Sequence, residues 1–282
     1  MKVRLYLCYG LLKENLQSPF VLCACLLGGL AVFKSAYPYI HYADSALINV
    51  FEPFIILCSD RNMISWALFG YFFLMCRAPF MNARTEQMMF RITRVCWSDA
   101  VILYIFVQSV IYYGLILLMT VLIGISNGFV GNQWSNLMYN LSKFGSGVEK
   151  ETGLYVPDVS LIKTWSVGQA VIHSFCLVLL YSIVLALILF AINIAVGNLI
   201  GCIVAIGVHF IGYVLISDAM FGYINFSLFA HGILNIHNQV GMGGLDLLTS
   251  YLLFFMICIF LIKIARVAIS HCDLKNSIDE RK

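Results

Sequence analysis

The chain has 282 residues, of which 61% are hydrophobic and 11% charged, with a mean hydropathy of +0.91 and a formal net charge of +3. An average soluble domain is about 25% charged, so a single soluble core of this length is excluded, and so small a positive excess excludes the broad basic field of a nucleic-acid binder. The composition predicts an all-α, polytopic membrane protein, with the lipid bilayer as its surroundings and both termini cytoplasmic.

Residues 1–18 predict an amphipathic helix lying in the membrane interface. Leu5, Cys8, Tyr9, Leu12 and Leu16 share one face, with Lys2, Lys13 and Glu14 off it. Charges run through this segment and no small-residue cleavage site follows, so it does not read as a cleaved signal peptide. Pro19 marks a change of direction. A six-span domain covers 19–270, with spans near 19–40, 62–78, 98–124, 167–192, 198–217 and 245–266, since a span needs about 20 apolar residues. Residues 46–58 are apolar but too short to cross, and carry Glu52-Pro53 in the middle, where the proline breaks a helix; they predict an interfacial or re-entrant piece on the outer side. A polar outer loop occupies 125–166. A Gly-, Asn- and His-rich stretch at 218–244 predicts an outer re-entrant segment. Residues 271–282 form a cytoplasmic tail.

Lys and Arg fix the orientation. With the N-terminus inside, twelve face the cytoplasm and five face out, as the positive-inside rule requires. If 46–58 crossed the membrane, Arg84, Arg91 and Arg94 would move outside and spoil the bias.

The ten cysteines form no CxxC pair and lie mostly in apolar runs, where they act as small packing residues. The chain contains no G-x-x-x-x-G-K-[ST] phosphate loop, no HExxH and no GxSxG. No catalytic residue, cofactor or metal site is expected. Any energy must come from a partner or from an ion gradient, yet the span interiors are nearly free of ionisable groups. His173 and His209, with Asp99 near a span end, are the candidates for a relay, and hydrogen-bonded structure is the commoner role for such residues. Asp218 stands at an outer span end. His231 and His237 are six apart and share no helical face, so they do not match a metal pair.

The stretch after the second span is the most informative. Pro79 ends the span, and residues 81–96 fit a helix. Met81, Met88, Ile92 and Val95 form an apolar stripe; Arg84, Arg91 and Arg94 flank it; Glu86 and Gln87 lie farther round. Such a ridge suits docking into a groove. Equally, it suits a basic helix on anionic headgroups, at about 1 kcal/mol per cation.

The amphipathic segment 3–17, Pro79-Phe80 with Arg84, Arg91, Arg94 and Trp97, the six spans and the broken stretch 218–244 together resemble the permease subunit of bacterial type-2 ATP-binding-cassette exporters. The resemblance covers most of the chain as architecture. It implies a non-enzymatic transport subunit in the bacterial plasma membrane, moving a hydrophobic or amphipathic substrate. It implies two partners: a dimer of ATPase subunits, and a second permease copy or paralogue. It places a cytoplasmic coupling helix on residues 80–96, with Arg84, Glu86, Met88, Arg91 and Arg94 at the ATPase contact, and a smaller contact at the turn 193–198, which carries no charge. Two other classes remain open: a membrane-embedded lipid-modifying enzyme using His231, His237, Asp218 and Asp246, and a non-catalytic immunity or sensor subunit with a recognition loop at 125–166.

Overall fold

A computed structural model describes residues 2–44, 46–78, 92–144, 153–237 and 245–271. The helices are α1 (Lys2–Leu16), α2 (Pro19–Ala43), α3 (Glu52–Ser59), α4 (Arg61–Met75), α5 (Arg94–Gly124), α6 (Asn136–Phe144), α7 (Val159–Thr164), α8 (Val167–Ala195), α9 (Asn198–Leu215), α10 (Leu234–His237) and α11 (Leu247–His271). Tight 3-10 turns occupy Ile125–Asn127, Asp218–Phe226 and Ala230–Gly232. The all-α expectation needs one amendment. Strands β1 (Ile48–Asn49) and β2 (Gly128–Phe129) pair in parallel, Ile48 with Gly128 and Asn49 with Phe129.

Among the described residues, four helices are long and apolar enough to cross a membrane: α2, α5, α8 and α11. Helix α4 has 15 residues, about 22 Å at 1.5 Å per residue, against a hydrocarbon layer of about 30 Å. The apolar part of α9 is Ile200–Leu215. These two helices stand where the second and fifth spans are expected, but are shorter than a full crossing.

Polar side chains set the helix starts. Ser18 accepts from Phe20 N, Asp60 from Asn62 N, Thr93 from Cys96 N, Asp158 from Ser160 N and Asp246 from Thr249 N. Ser166 and Gln169 form a capping box ahead of α8. Pro53 opens α3 rather than breaking it, because a first-turn proline loses no helical hydrogen bond. Every residue of α3 is buried, so Glu52–Ser59 is a plug packed against α2, α5 and α8.

Helix α8 forms the middle of the packing, with Leu177, Tyr181, Leu185, Leu189 and Phe190 inaccessible. Helices α2 and α4 lie close together. A Cβ at Gly70 would stand 2.9 Å from the Ala24 carbonyl oxygen, so glycine is required there. The Tyr112 hydroxyl of α5 lies in the same seam and donates to Ala67 O at 2.8 Å.

The outward faces are apolar. Leu22, Leu26 and Leu30 of α2, Phe210 and Ile211 of α9, and Phe255, Met256 and Phe260 of α11 are exposed. A multi-pass membrane protein presents such surfaces to lipid. In α1 the buried residues are Cys8, Leu11 and Asn15, while Leu5, Tyr9 and Leu16 are exposed. The face turned to the protein is therefore rotated from the apolar stripe, because polar Asn15 reaches the buried Tyr104 hydroxyl of α5.

Candidate functional site

Segment 79–91 joins α4 to α5. Arg84, Glu86, Met88 and Arg91 lie outside the described residues, as does most of the expected 80–96 helix. Arg94 is described, and it begins α5, behind an extended Thr93 whose side chain caps the helix. Val95, Cys96 and Trp97 follow in the same helix.

Both ends of this segment are braced by the rest of the fold. On the α4 side, Arg77 Nη1 donates to Ser18 Oγ at 3.3 Å, tying the helix end to the α1–α2 corner. The next residue is held from α8: Asn193 Nδ2 donates to Ala78 O at 2.6 Å. The same Asn193 accepts from Gly201 N at 3.0 Å, which fixes the α8–α9 turn. A Cβ at Gly201 would collide with the Asn193 side chain and the Leu189 carbonyl, so glycine permits this turn. The expected secondary contact at 193–198 thus begins with a structural asparagine.

On the α5 side the brace is ionic. Asp99 is 8% exposed and receives two half-exposed arginines. Arg4 of α1 reaches Oδ2 at 3.0 Å. Arg266 of α11 places Nε and Nη2 at 2.9 and 2.7 Å from Oδ1. Asp99, a relay candidate from sequence, is therefore a clamp that joins α1, α5 and α11. Trp97 is buried against Phe190, with no partner for its Nε1 among the described residues.

The opposite end carries a second polar cluster. Glu52 is inaccessible to solvent. Its carboxylate accepts from Tyr39 OH at 2.6 Å, Asn49 N at 3.0 Å, Ser135 N at 2.7 Å and Ser135 Oγ at 2.9 Å. Burial pushes the Glu52 carboxyl above the usual range, while the four donors pull it down. Asn49 Nδ2 also holds Gly131 O and Gln133 O. Part of the expected outer loop is thereby anchored to the plug.

The histidines have definite partners. His209 lies between Tyr181 OH and Ser65 Oγ at 2.9 and 3.1 Å, and His173 Nδ1 meets Tyr251 OH at 3.0 Å. His231 and His237 converge on a residue the sequence did not signal, Ser250. Asp246 caps α11 through Thr249 and offers its backbone carbonyl to Ser250. Ser250 is fully buried. The side chain of Asp218 lies outside the described features. No group of three His, Cys, Asp or Glu suited to a metal occurs among the described residues.

Asn193 had a visible signal, being the one Asn in a 29-residue apolar helix. Arg77 and Ser18 had none, since their pairing joins positions 59 apart. Comparison with protein-family models, with curated proteins and with solved structures returns no match.

Proposed function

We propose that this chain is the membrane half of an ATP-driven exporter of the type-2 ATP-binding-cassette class, driven by a separate ATPase dimer and paired with a second permease. In this reading six elements cross the membrane with both termini cytoplasmic, and α4 and α9 complete their crossings with flanking residues. ATP hydrolysis in the partner moves segment 79–91, and the membrane helices follow. No step of hydrolysis belongs to this chain, which carries no phosphate loop.

One observation carries the reading: the described residues on either side of segment 79–91 are braced. Arg77, Ala78 and Asn193 bind its start to the α1–α2 corner and the α8–α9 turn. Asp99 binds the first turns of α5 to α1 and α11. A push on an arginine-bearing segment held in this way reaches α1, α2, α4, α5, α8, α9 and α11 together. The largely apolar helices suit a hydrophobic or amphipathic cargo, with few charged side chains among the described residues inside the long helices.

The test is co-purification from the native membrane. An ATPase subunit should copurify with the chain, and the double charge reversal R84E/R91E should weaken that complex and abolish ATP-dependent flux. Full transport by the double variant would end this assignment.

A further inference from the structure

His231, Ser250 and His237 form a closed group whose protons can be counted. His231 Nε2 lies 3.1 Å from Asn225 O, and His237 Nδ1 lies 2.9 Å from Ile233 O. A carbonyl oxygen only accepts, so each of those ring nitrogens carries its hydrogen. In the neutral imidazoles the other nitrogens, Nδ1 of His231 and Nε2 of His237, are then bare acceptors. Both point at one hydroxyl, 2.7 and 2.8 Å from Ser250 Oγ. The Asp246 carbonyl, at 3.1 Å, is a third acceptor for the same hydroxyl. Ser250 has one hydrogen to give. In the neutral state at least one of the two short nitrogen–oxygen contacts lacks a proton. One added proton repairs it: a protonated ring donates to Oγ, and the hydroxyl donates to the other ring. A second proton would leave Oγ facing two N–H donors and put two cations in one pocket.

We infer that His231, Ser250 and His237 form a binding site for a single proton, shared along an imidazole–hydroxyl–imidazole chain that joins segment 225–237 to α11. The surroundings fit one positive charge. The sequence has no Lys or Arg from 164 to 262. Titratable groups on the elements packed against it are engaged elsewhere: Tyr181 of α8 on His209, His173 of α8 on Tyr251 of α11, and Glu52 of α3 on Tyr39, Asn49 and Ser135. The Asp246 carboxylate is exposed, capped on Thr249, and draws charge toward His237. Burial lowers both imidazoles, and their mutual repulsion lowers His237 further. The pocket therefore rests without the extra proton at neutral pH and fills on acidification.

The full chain in phospholipid nanodiscs, with 15N-labelled histidine rings, tests this by titration from about pH 8 to about pH 4, across the imidazole range. Single variants H231Q and H237Q assign the signals. The expected result is a joint movement of His231 and His237 worth one proton between them. S250A should split it into two separate titrations. Independent uptake of one proton at each ring in the unmodified protein overturns the site. So does an S250A profile identical to it, or neutrality of both rings down to acid unfolding.

Discussion

Replacing Glu52 by glutamine tests how the plug is held. Two of the four donors to Glu52 are backbone amides that cannot turn away: Asn49 N on Oε2 and Ser135 N on Oε1. The other two are hydroxyls, free to rotate. Glutamine has one acceptor and one NH2 group. In either orientation its NH2 faces a fixed amide and leaves that donor unsatisfied in an inaccessible site. Leaving one buried donor unmade costs about 1–3 kcal/mol, so E52Q should lose about 2 kcal/mol. E52A exposes both amides and opens a cavity, and should lose about 4 kcal/mol. Y39F removes one rotatable donor of four and should lose about 1 kcal/mol. Denaturation by SDS in mixed micelles, followed by circular dichroism, gives the ranking E52A worse than E52Q worse than Y39F. An E52Q protein as stable as the parent would mean that the two amides do not converge on this side chain, and the bracing of the outer loop by the plug would have to be abandoned.

Further outcomes follow from the same geometry. D99N leaves Arg4 and Arg266 without their shared anion and should loosen α1, seen as faster hydrogen exchange across Lys2–Leu16 with little change in α8. N193A removes the bond to Ala78 O and the anchor of Gly201; it should destabilise by about 1–3 kcal/mol and, in an active complex, lower flux more than ATPase binding. G70A forces α2 and α4 apart at Ala24 and should cost about 1–3 kcal/mol, measured as a lower unfolding midpoint. Acid affects His237 and Glu52 in opposite senses. His237 is pushed down to about 4 from an ordinary value near 6.5, so the unfolded chain takes up protons first and stability is lost as pH falls below about 6.5. The raised carboxyl of Glu52 works the other way, gaining stability as pH falls toward the ordinary carboxyl range. The E52Q variant should therefore show a steeper acid loss than the parent.

The four long apolar helices were legible because long apolar runs have few other uses. They stand where the first, third, fourth and sixth spans are expected, while α4 and α9 fall short of a full crossing. Pro53 misled, since a proline in mid-segment reads as a break when the residues before it are taken as helix; the helix begins at Glu52. The α1 stripe was read from hydropathy alone, and Asn15 turned it by finding a tyrosine 89 residues away. His231 and His237 were judged by helical spacing. The chain between them passes from a 3-10 turn into the short helix α10, which brings both rings to one serine. Pairings of that kind depend on tertiary closure and leave no period in the sequence. Arg84 and Arg91 lie outside the described residues, so the structure speaks only for the braces at 77–78 and at Asp99.

The Tyr112 hydroxyl has a mechanical corollary. It spends its hydrogen on a carbonyl of α4, where glycine lets α2 come within touching distance. Inside a bilayer no solvent could accept that hydrogen if α5 slid along α4. A relative slide of these two helices therefore carries the cost of an unmade buried hydrogen bond, and seams without such a bond open more cheaply.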